Sequence, residues 1–580
     1  MTLACCGLGV ATAQAIAVGP AYLLDRGPRS ASPRSIAVHE VEEEVRRLDE
    51  ALASAQRALR GVREQVTRST PVTVAEFIDS HLLMLEDATL VDPARELIRS
   101  RLYGAEWALQ QHRNTLVKVF EEMEDPYLRS RRDDIDHVVH QILDFLSGGG
   151  EEAGNADLRG HVVIARDLSP ADTVVLRHRG ALAFVTEFGG PMSHTAILAR
   201  SLNIPAVVGV HNATRVFRRG ETLVVDGETG TVLADVDARI LKHYEDRLRF
   251  LEERRRRLRR LVRKPAVSRD GTPVALLANL ELPEDTQTAR DNGAAGVGLY
   301  RTEFLYMNRD SLPDEEEHLA AYLQVIRGLG GIPLTIRTLD LGADKRIDSA
   351  PTGCPPACNP ALGLRAIRLC LKEPELFTPQ LRAILRASAE GPVRLMIPML
   401  TSVQELESVL SIVEQVRRDL TRDGLAFDPK LPVGAMIEVP AAALCAMAFA
   451  RRLDFLSIGT NDLAQYALAI DRTDDSVSYL YDPLHPAILR LIRMTIEAGR
   501  AQATPVAMCG EMAGEARFTR LLLGLGLREL SMQPGALLEI KEIVRGSRIP
   551  ELESAVGTLL ERLDDEEPER LLAAINRMGT

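Results

Sequence analysis

Gly189-Gly190-Pro191-Met192-Ser193-His194-Thr195 runs a glycine-led turn straight into an apolar helical pattern at Ala196, Ile197, Leu198, Ala199 and Leu202. Two glycines allow a tight turn, Ser193 or Thr195 can cap the helix, and the free N–H groups of its first turn can hold an anion. The positive helix end disfavours imidazolium, so His194 there stays neutral, which is its nucleophilic form. A phosphate-receiving nucleophile is one reading of the turn. A capping turn with an incidental exposed histidine is the other.

A second set of reactive residues lies far downstream, each at or near the end of a short apolar run. Arg301 and Glu303 follow the run 296–300, Arg337 lies late in the run 334–339 with Asp340 just after it, and Glu438 lies late in the run 435–439. Asn461 and Asp462 come after 455–459, and Cys509 ends the run 506–509 with Glu511 two residues on. Guanidinium forks grip phosphate and carboxylate, so Arg301, Arg337 and Arg472 would clamp a small polyanion. Glu438 and Asp462 are hard oxygen ligands on different runs and suit Mg²⁺. With an ordinary thiol pKa of about 8.5, Cys509 is protonated at neutral pH and can deliver a proton to carbon. For any single member an ion pair is the alternative, and for Cys509 a small buried hydrophobe. Taken jointly, the set describes a site for a magnesium-bound phosphorylated acid.

The elements that must position these residues follow from periodicity. Beyond Val267 eight apolar runs (274–279, 296–300, 334–339, 395–398, 435–439, 455–459, 506–509 and 529–532) alternate with helical stretches, the rhythm of a (β/α)8 barrel. Charged residues at the carboxyl ends of such strands fall on the face where barrel active sites form. Upstream, residues 1 to about 25 read as a strand pair, with the apolar start a buried strand. Residues 38–147 have helical period in four segments, a bundle. Its segment Phe77 to Asp87 reads as a core stripe with an acidic end, or as a protein-docking helix. A glycine-rich break at 148–154 precedes short strands around the His194 turn, so the bundle is an insertion in a compact α/β unit. From Asp235 to about Lys264 a charged helix of about 40 Å connects the lobes, and its run Arg254-Arg255-Arg256-Arg257 reads as a solvated face.

Composition narrows the class. A length of 580 residues suits three or four domain-sized units, and the net charge of −12 with 4% aromatics argues against nucleic-acid binding. Seven cysteines in so long a chain form no disulfide framework, and a reducing cytoplasm is the expected compartment. Leu3-Ala4-Cys5 hints at a lipoprotein signal, but no Lys or Arg precedes it, and no apolar run reaches the length of a membrane span.

The motifs Ser193-His194-Thr195, Gly298-Leu299-Tyr300-Arg301-Thr302-Glu303, Thr335-Ile336-Arg337-Thr338-Leu339-Asp340 and Asn359-Pro360-Ala361-Leu362-Gly363-Leu364-Arg365 stand in order. Met436-Ile437-Glu438-Val439-Pro440, Gly459-Thr460-Asn461-Asp462, Asp471-Arg472 and Met508-Cys509-Gly510-Glu511 follow. Over essentially its whole length the chain resembles the enzyme I family of the bacterial phosphoenolpyruvate-dependent phosphotransferase system. The resemblance implies an α/β multidomain chain. A phosphohistidine α/β domain would comprise 1–25 and 155–235, with an inserted phosphocarrier-docking bundle at 35–147. A linker helix would span 236–264, and a phosphoenolpyruvate-binding, dimerising barrel 265–580.

It further implies that His194 takes the phosphoryl group of phosphoenolpyruvate and passes it to a histidine of a phosphocarrier protein, the first step of sugar uptake. Arg301, Arg337, Arg365, Asn461, Asp462 and Arg472 would bind substrate, Glu438 and Asp462 would hold Mg²⁺, and Cys509 would protonate the departing enolate. The histidine would swing between two sites. Two departures stand out. Pro191-Met192 replaces the family's usual Arg-Thr, and Cys354-Pro355-Pro356-Ala357-Cys358 is an unusual loop, read as plain loop in preference to a zinc site or a redox clip. Rival readings are a nitrogen-branch paralogue, a dikinase or phosphoenolpyruvate synthase relative, and a non-enzymatic regulator. A dikinase needs a nucleotide-binding region, for which the helical first 150 residues leave no room, and a regulator would have lost catalytic positions that here are intact.

Overall fold

The computed structural model describes residues 2–10, 16–24, 33–65, 72–121, 126–147, 158–168, 170–190, 194–201, 204–306, 311–341, 360–471, 477–563, 565 and 567–578. Two compact units divide the chain, residues 1–253 and 254–580. No helix among the described residues is long and apolar enough to cross a membrane.

The first unit is built on an eight-stranded sheet. Its strands are β1 (Leu3–Cys6), β2 (Leu8–Val10), β3 (Ile16–Leu24), β4 (Val162–Ala165), β5 (Ala183–Thr186), β6 (Ala206–Val208), β7 (Thr222–Asp226) and β8 (Thr231–Ala234), in the order β1-β8-β7-β3-β4-β5-β6-β2. The long strand β3 serves two neighbours in turn. Residues 16–20 pair antiparallel with β7, and residues 21–24 pair parallel with β4. Pro20, which has no N–H to donate, sits where the partner changes. Three strands, not a pair, precede the bundle, and the apolar start is not buried. Residues 3–6 form an edge strand bonded only to β8, and Leu3 is 43% exposed.

Among the described residues five α-helices lie between β3 and β4 where four are expected: Val41–Gln65, Val72–Glu86, Ala88–Arg101, Ala105–Glu121 and Pro126–Leu146. The extra break is at Asp87, which leaves helical geometry and accepts the Thr89 N–H as an N-cap. Their shared core, with Leu48, Leu59, Ile98 and Ile142, also takes in Leu198 from the helix His194–Ser201. The bundle therefore braces the element that carries the histidine.

The helix Ala238–Arg259 buries no residue fully. Its first turns rest on the sheet through Leu241, Tyr244 and Leu248, and Arg247 pairs with the buried Asp226 at 2.9 Å. In its arginine run Arg255 and Arg256 are exposed, as a solvated face requires, whereas Arg254 pairs with Glu539 and Arg257 with Glu542 in the second unit.

The second unit closes eight parallel strands into a barrel, β9 (Ala275–Leu280), β10 (Val297–Tyr300), β11 (Leu334–Arg337), β12 (Val393–Ile397), β13 (Val433–Ile437), β14 (Phe455–Ile458), β15 (Val506–Met508) and β16 (Glu529–Met532). Every expected run is a strand. They read as short unbroken apolar runs because the barrel buries both of their faces. Leu299, Met396, Met436, Phe455 and Cys509 cluster together within it. At Gly434 a Cβ would meet the Phe455 ring at 2.5 Å, so the missing side chain makes room for that ring.

Candidate active site

At the carboxyl ends of the barrel strands five charged residues, Arg337, Glu303, Asp340, Arg365 and Asp462, form one largely buried network. Arg337, the last residue of β11, donates to Glu303 Oε1 at 2.7 Å and pairs with Asp340 at 2.8 Å. Arg365 donates to the other oxygen of Asp340 at 2.9 Å and lies 3.9 Å from Asp462. A second bond from Arg365 goes to the Tyr466 hydroxyl at 3.2 Å. Burial alone would lower both guanidinium pKa values, but the carboxylates around them hold them above their ordinary range. Burial would raise Asp340, yet Arg337 and Arg365 overcome it and keep its carboxyl below the usual value. The Nε atoms of Arg337 and Arg365 are buried and have no hydrogen-bond partner among the described residues. Orphaned charged donors are groups waiting for an acceptor.

Beside this network stand three buried carboxylates. One oxygen each of Asp340, Glu438 and Asp462 lies within 4.8 Å of the others. Glu438 is 1% exposed, and burial followed by the charges of Asp340 and Asp462 pushes its pKa up to about 8. Arg337 and the Met399 N–H, 2.7 Å from Oε1, oppose that rise only in part. Met399 reaches Glu438 from a left-handed backbone at φ 57°, uncommon for a side chain of its kind. Three hard oxygen ligands, one of them destabilised as an anion, fit a divalent cation.

The remaining candidates surround this core. Arg301 pairs with Glu281 just past the end of β9, and its charge also helps to lower the Asp340 carboxyl. Asn461 is locked to the loop after β15, donating to Glu511 at 3.0 Å and accepting the Glu511 N–H at 2.9 Å. Cys509 is 4% exposed, its Sγ faces the Ile458 carbonyl at 3.7 Å, and burial raises the thiol to about 11. The next residue must be glycine, because a Cβ on Gly510 would sit 1.9 Å from Thr460 Oγ1. Arg472, Cys354 and Cys358 lie outside the described residues.

His194 belongs to the other unit and is the first residue of the helix His194–Ser201. Gly189, at φ 106°, makes the turn after β5, while Pro191, Met192 and Ser193 are outside the described residues, as is the His194 side chain. Thr195 does not cap the helix. Its buried hydroxyl donates to the Leu168 carbonyl at 3.0 Å and ties the helix start to the loop after β4.

Three family models match in series. Residues 8–131 match the N-terminal domain of phosphoenolpyruvate-utilising enzymes, 158–230 their mobile domain and 255–549 their phosphoenolpyruvate-binding domain. The chain is 44% identical over 579 residues to the phosphoenolpyruvate-protein phosphotransferase of Cupriavidus necator, covering 98% of this chain and 99% of that protein. The chain belongs to the phosphoenolpyruvate-protein phosphotransferase family. The family's proteins from Bacillus subtilis and Staphylococcus carnosus are each 40% identical to it, covering 96% and 93% of this chain and 97% and 93% of their own lengths. As a family member the chain is a transferase with an eight-stranded barrel.

Two residues that the family resemblance does not single out stand inside this transferase's network, Asp340 as third carboxylate and Glu303 as partner of Arg337. Their signal is position, since both are carboxylates just past a strand end. Met399 has no comparable signal, because a backbone N–H is invisible in side-chain types.

Proposed function

We propose that this phosphotransferase moves the phosphoryl group of phosphoenolpyruvate to His194, releases pyruvate, and passes the group on to a histidine of a phosphocarrier protein of the sugar phosphotransferase system. The observation that carries the barrel half is the pairing of Arg337 and Arg365 with three clustered carboxylates at one strand-end face. Arg301, Arg337 and Arg365, with Arg472, bind the substrate's phosphate and carboxylate, and Asn461, held by Glu511, completes the substrate's contacts.

A neutral imidazole nitrogen of His194 attacks phosphorus in line, and the bond from phosphorus to the enol oxygen breaks. The enolate keeps that bond's electron pair. Cys509, its thiol held protonated to about pH 11 by burial, gives its proton to the enolate carbon and is reprotonated from solvent. Glu438 and Asp462, with Asp340, hold Mg²⁺, which when bound offsets the charge gathering on phosphate and enolate oxygens. Residues 1–25 and 155–235 carry the phosphohistidine, 236–264 link it to the barrel, and residues from 265 onward bind substrate and join two copies of the chain. The carrier docks on the bundle at 35–147, where Leu83 is 69% exposed on the helix Val72–Glu86.

Incubation with phosphoenolpyruvate and Mg²⁺ followed by intact mass tests the proposal. One acid-labile phosphoryl group per chain is expected, absent in His194→Ala and transferable to a carrier. No gain in mass would overturn it.

A further inference from the structure

A cavity of about 780 Å³ opens in the first unit, well away in sequence from the barrel's charged network. It lies at the carboxyl ends of the parallel strands β3 to β6, the edge of an open α/β sheet where ligands bind. Each strand end supplies one wall. Leu23 comes from β3, Arg166 directly follows β4, Phe188 follows β5, and His211 follows β6.

The lining is cationic in a chain of net charge −12. Among the described residues Arg166, Arg215 and Arg219 line the cavity against one carboxylate, Glu187. That carboxylate is already engaged. One oxygen accepts the Thr214 N–H at 2.9 Å and the Thr214 hydroxyl at 2.5 Å, and the other lies 3.6 Å from Arg166. Two of the arginines rest against aromatic rings before any ligand arrives. Arg166 lies 5.6 Å over the Phe188 ring, and Arg219 lies 5.0 Å over Tyr22 while donating to the Leu23 carbonyl at 3.2 Å. Arg215 has no ion pair among the described residues. Like charges gathered around a cavity repel unless an anion offsets them, and pre-oriented guanidinium forks lose little freedom on binding one.

Size and walls narrow the occupant. The volume lies within the roughly 300–1,000 Å³ of small-molecule sites, more than a bare inorganic anion fills. Phe188, 49% exposed, and Leu23 offer it an apolar wall. We propose that this cavity binds a small organic anion carrying at least two negative charges, a phosphate ester or a polycarboxylate. Phe188 leads directly into Gly189-Gly190 and the His194 turn, so the occupant also changes how fast His194 takes up phosphoryl. That consequence, unlike the binding itself, rests on the proposed function.

Isothermal titration of the full chain with 3-phosphoglycerate, citrate and inorganic phosphate tests the site. One organic probe is expected to bind with 1:1 stoichiometry, its identity separating the ester from the polycarboxylate. Affinity should fall about tenfold or more in Arg215→Gln/Arg219→Gln and in Arg215→Glu, and persist in Arg337→Gln. Both altered arginines are exposed, so melting curves should match the wild type. Absence of binding, binding lost only in Arg337→Gln, or inorganic phosphate binding as tightly as either organic probe would overturn the proposal. Phosphoryl uptake measured with and without the bound probe reads the consequence. Were His194 not the nucleophile, no phosphoryl group would appear on His194 in any sample while the isotherm stayed intact.

Discussion

Cation binding at the barrel should rise steeply with pH. With its carboxyl raised to about 8, Glu438 is about 1% ionised at pH 6, about 9% at pH 7 and half ionised at pH 8. A divalent cation needs the carboxylate, so each bound ion must displace the Glu438 proton. Apparent affinity should then tighten about 50-fold from pH 6 to pH 8, and less than about twofold from pH 8 to pH 9. A carboxyl at its ordinary 4.5 would give an almost flat profile over the same range. The same shift has a stability sign. Glu438 favours the cation-free fold most below its unfolded pKa, and that contribution is lost as pH climbs toward about 8. Titrating the substrate-free protein with Mg²⁺ in two buffers of different ionisation enthalpy counts the protons, with about 0.9 released per ion at pH 7 and about 0.1 at pH 9. Glu438→Gln should abolish the release together with the binding. An affinity changing less than about threefold between pH 6 and pH 8, with no proton released, would refute the reasoning.

Three further outcomes follow from the same geometry. Cys509→Ala should still phosphorylate His194 but form pyruvate more slowly, by about 100-fold or more for loss of a general acid, and in wild type the alkaline limb of pyruvate formation should lie near the thiol value of about 11. Because Arg337 makes two directed charged bonds, Arg337→Lys should lower kcat/KM for phosphoenolpyruvate by about 30-fold or more, read by steady-state kinetics, despite its retained charge. Gly510→Ala places a methyl 1.9 Å from Thr460 Oγ1 and should cost about 1–3 kcal/mol in denaturant unfolding, with activity falling further than stability because the Cys509 loop moves.

Much of the barrel is legible because strands buried on both faces must be apolar throughout, and the first charged residue after each marks its end. That is how Arg301, Glu438 and Asp462 announce themselves. Pairing is not legible in the same way. Nothing in the spacing of Arg337, Asp340 and Arg365 says that one carboxylate binds both arginines, because that depends on how β11 and the segment before the helix Ala366–Lys372 meet in space. The fifth bundle helix was hidden for a related reason. The apolar period runs on through Leu85 and Leu90, and a single capping residue, Asp87, resets the helix without breaking that period. The exposed start of the chain follows from its place at a sheet edge, where an apolar strand has one neighbour instead of two.

The central claim is that one histidine, carried by a unit separate from the barrel, receives the phosphoryl group. Mixing the protein with less than one equivalent of phosphoenolpyruvate and Mg²⁺, then quenching in alkali and mapping peptides, measures it directly. Pyruvate and phosphohistidine should appear in equal amounts, with the phosphoryl group on the peptide that carries His194, and neither should form in His194→Ala. Pyruvate produced by that variant at the wild-type rate, or phosphate found on any other residue, would contradict the account.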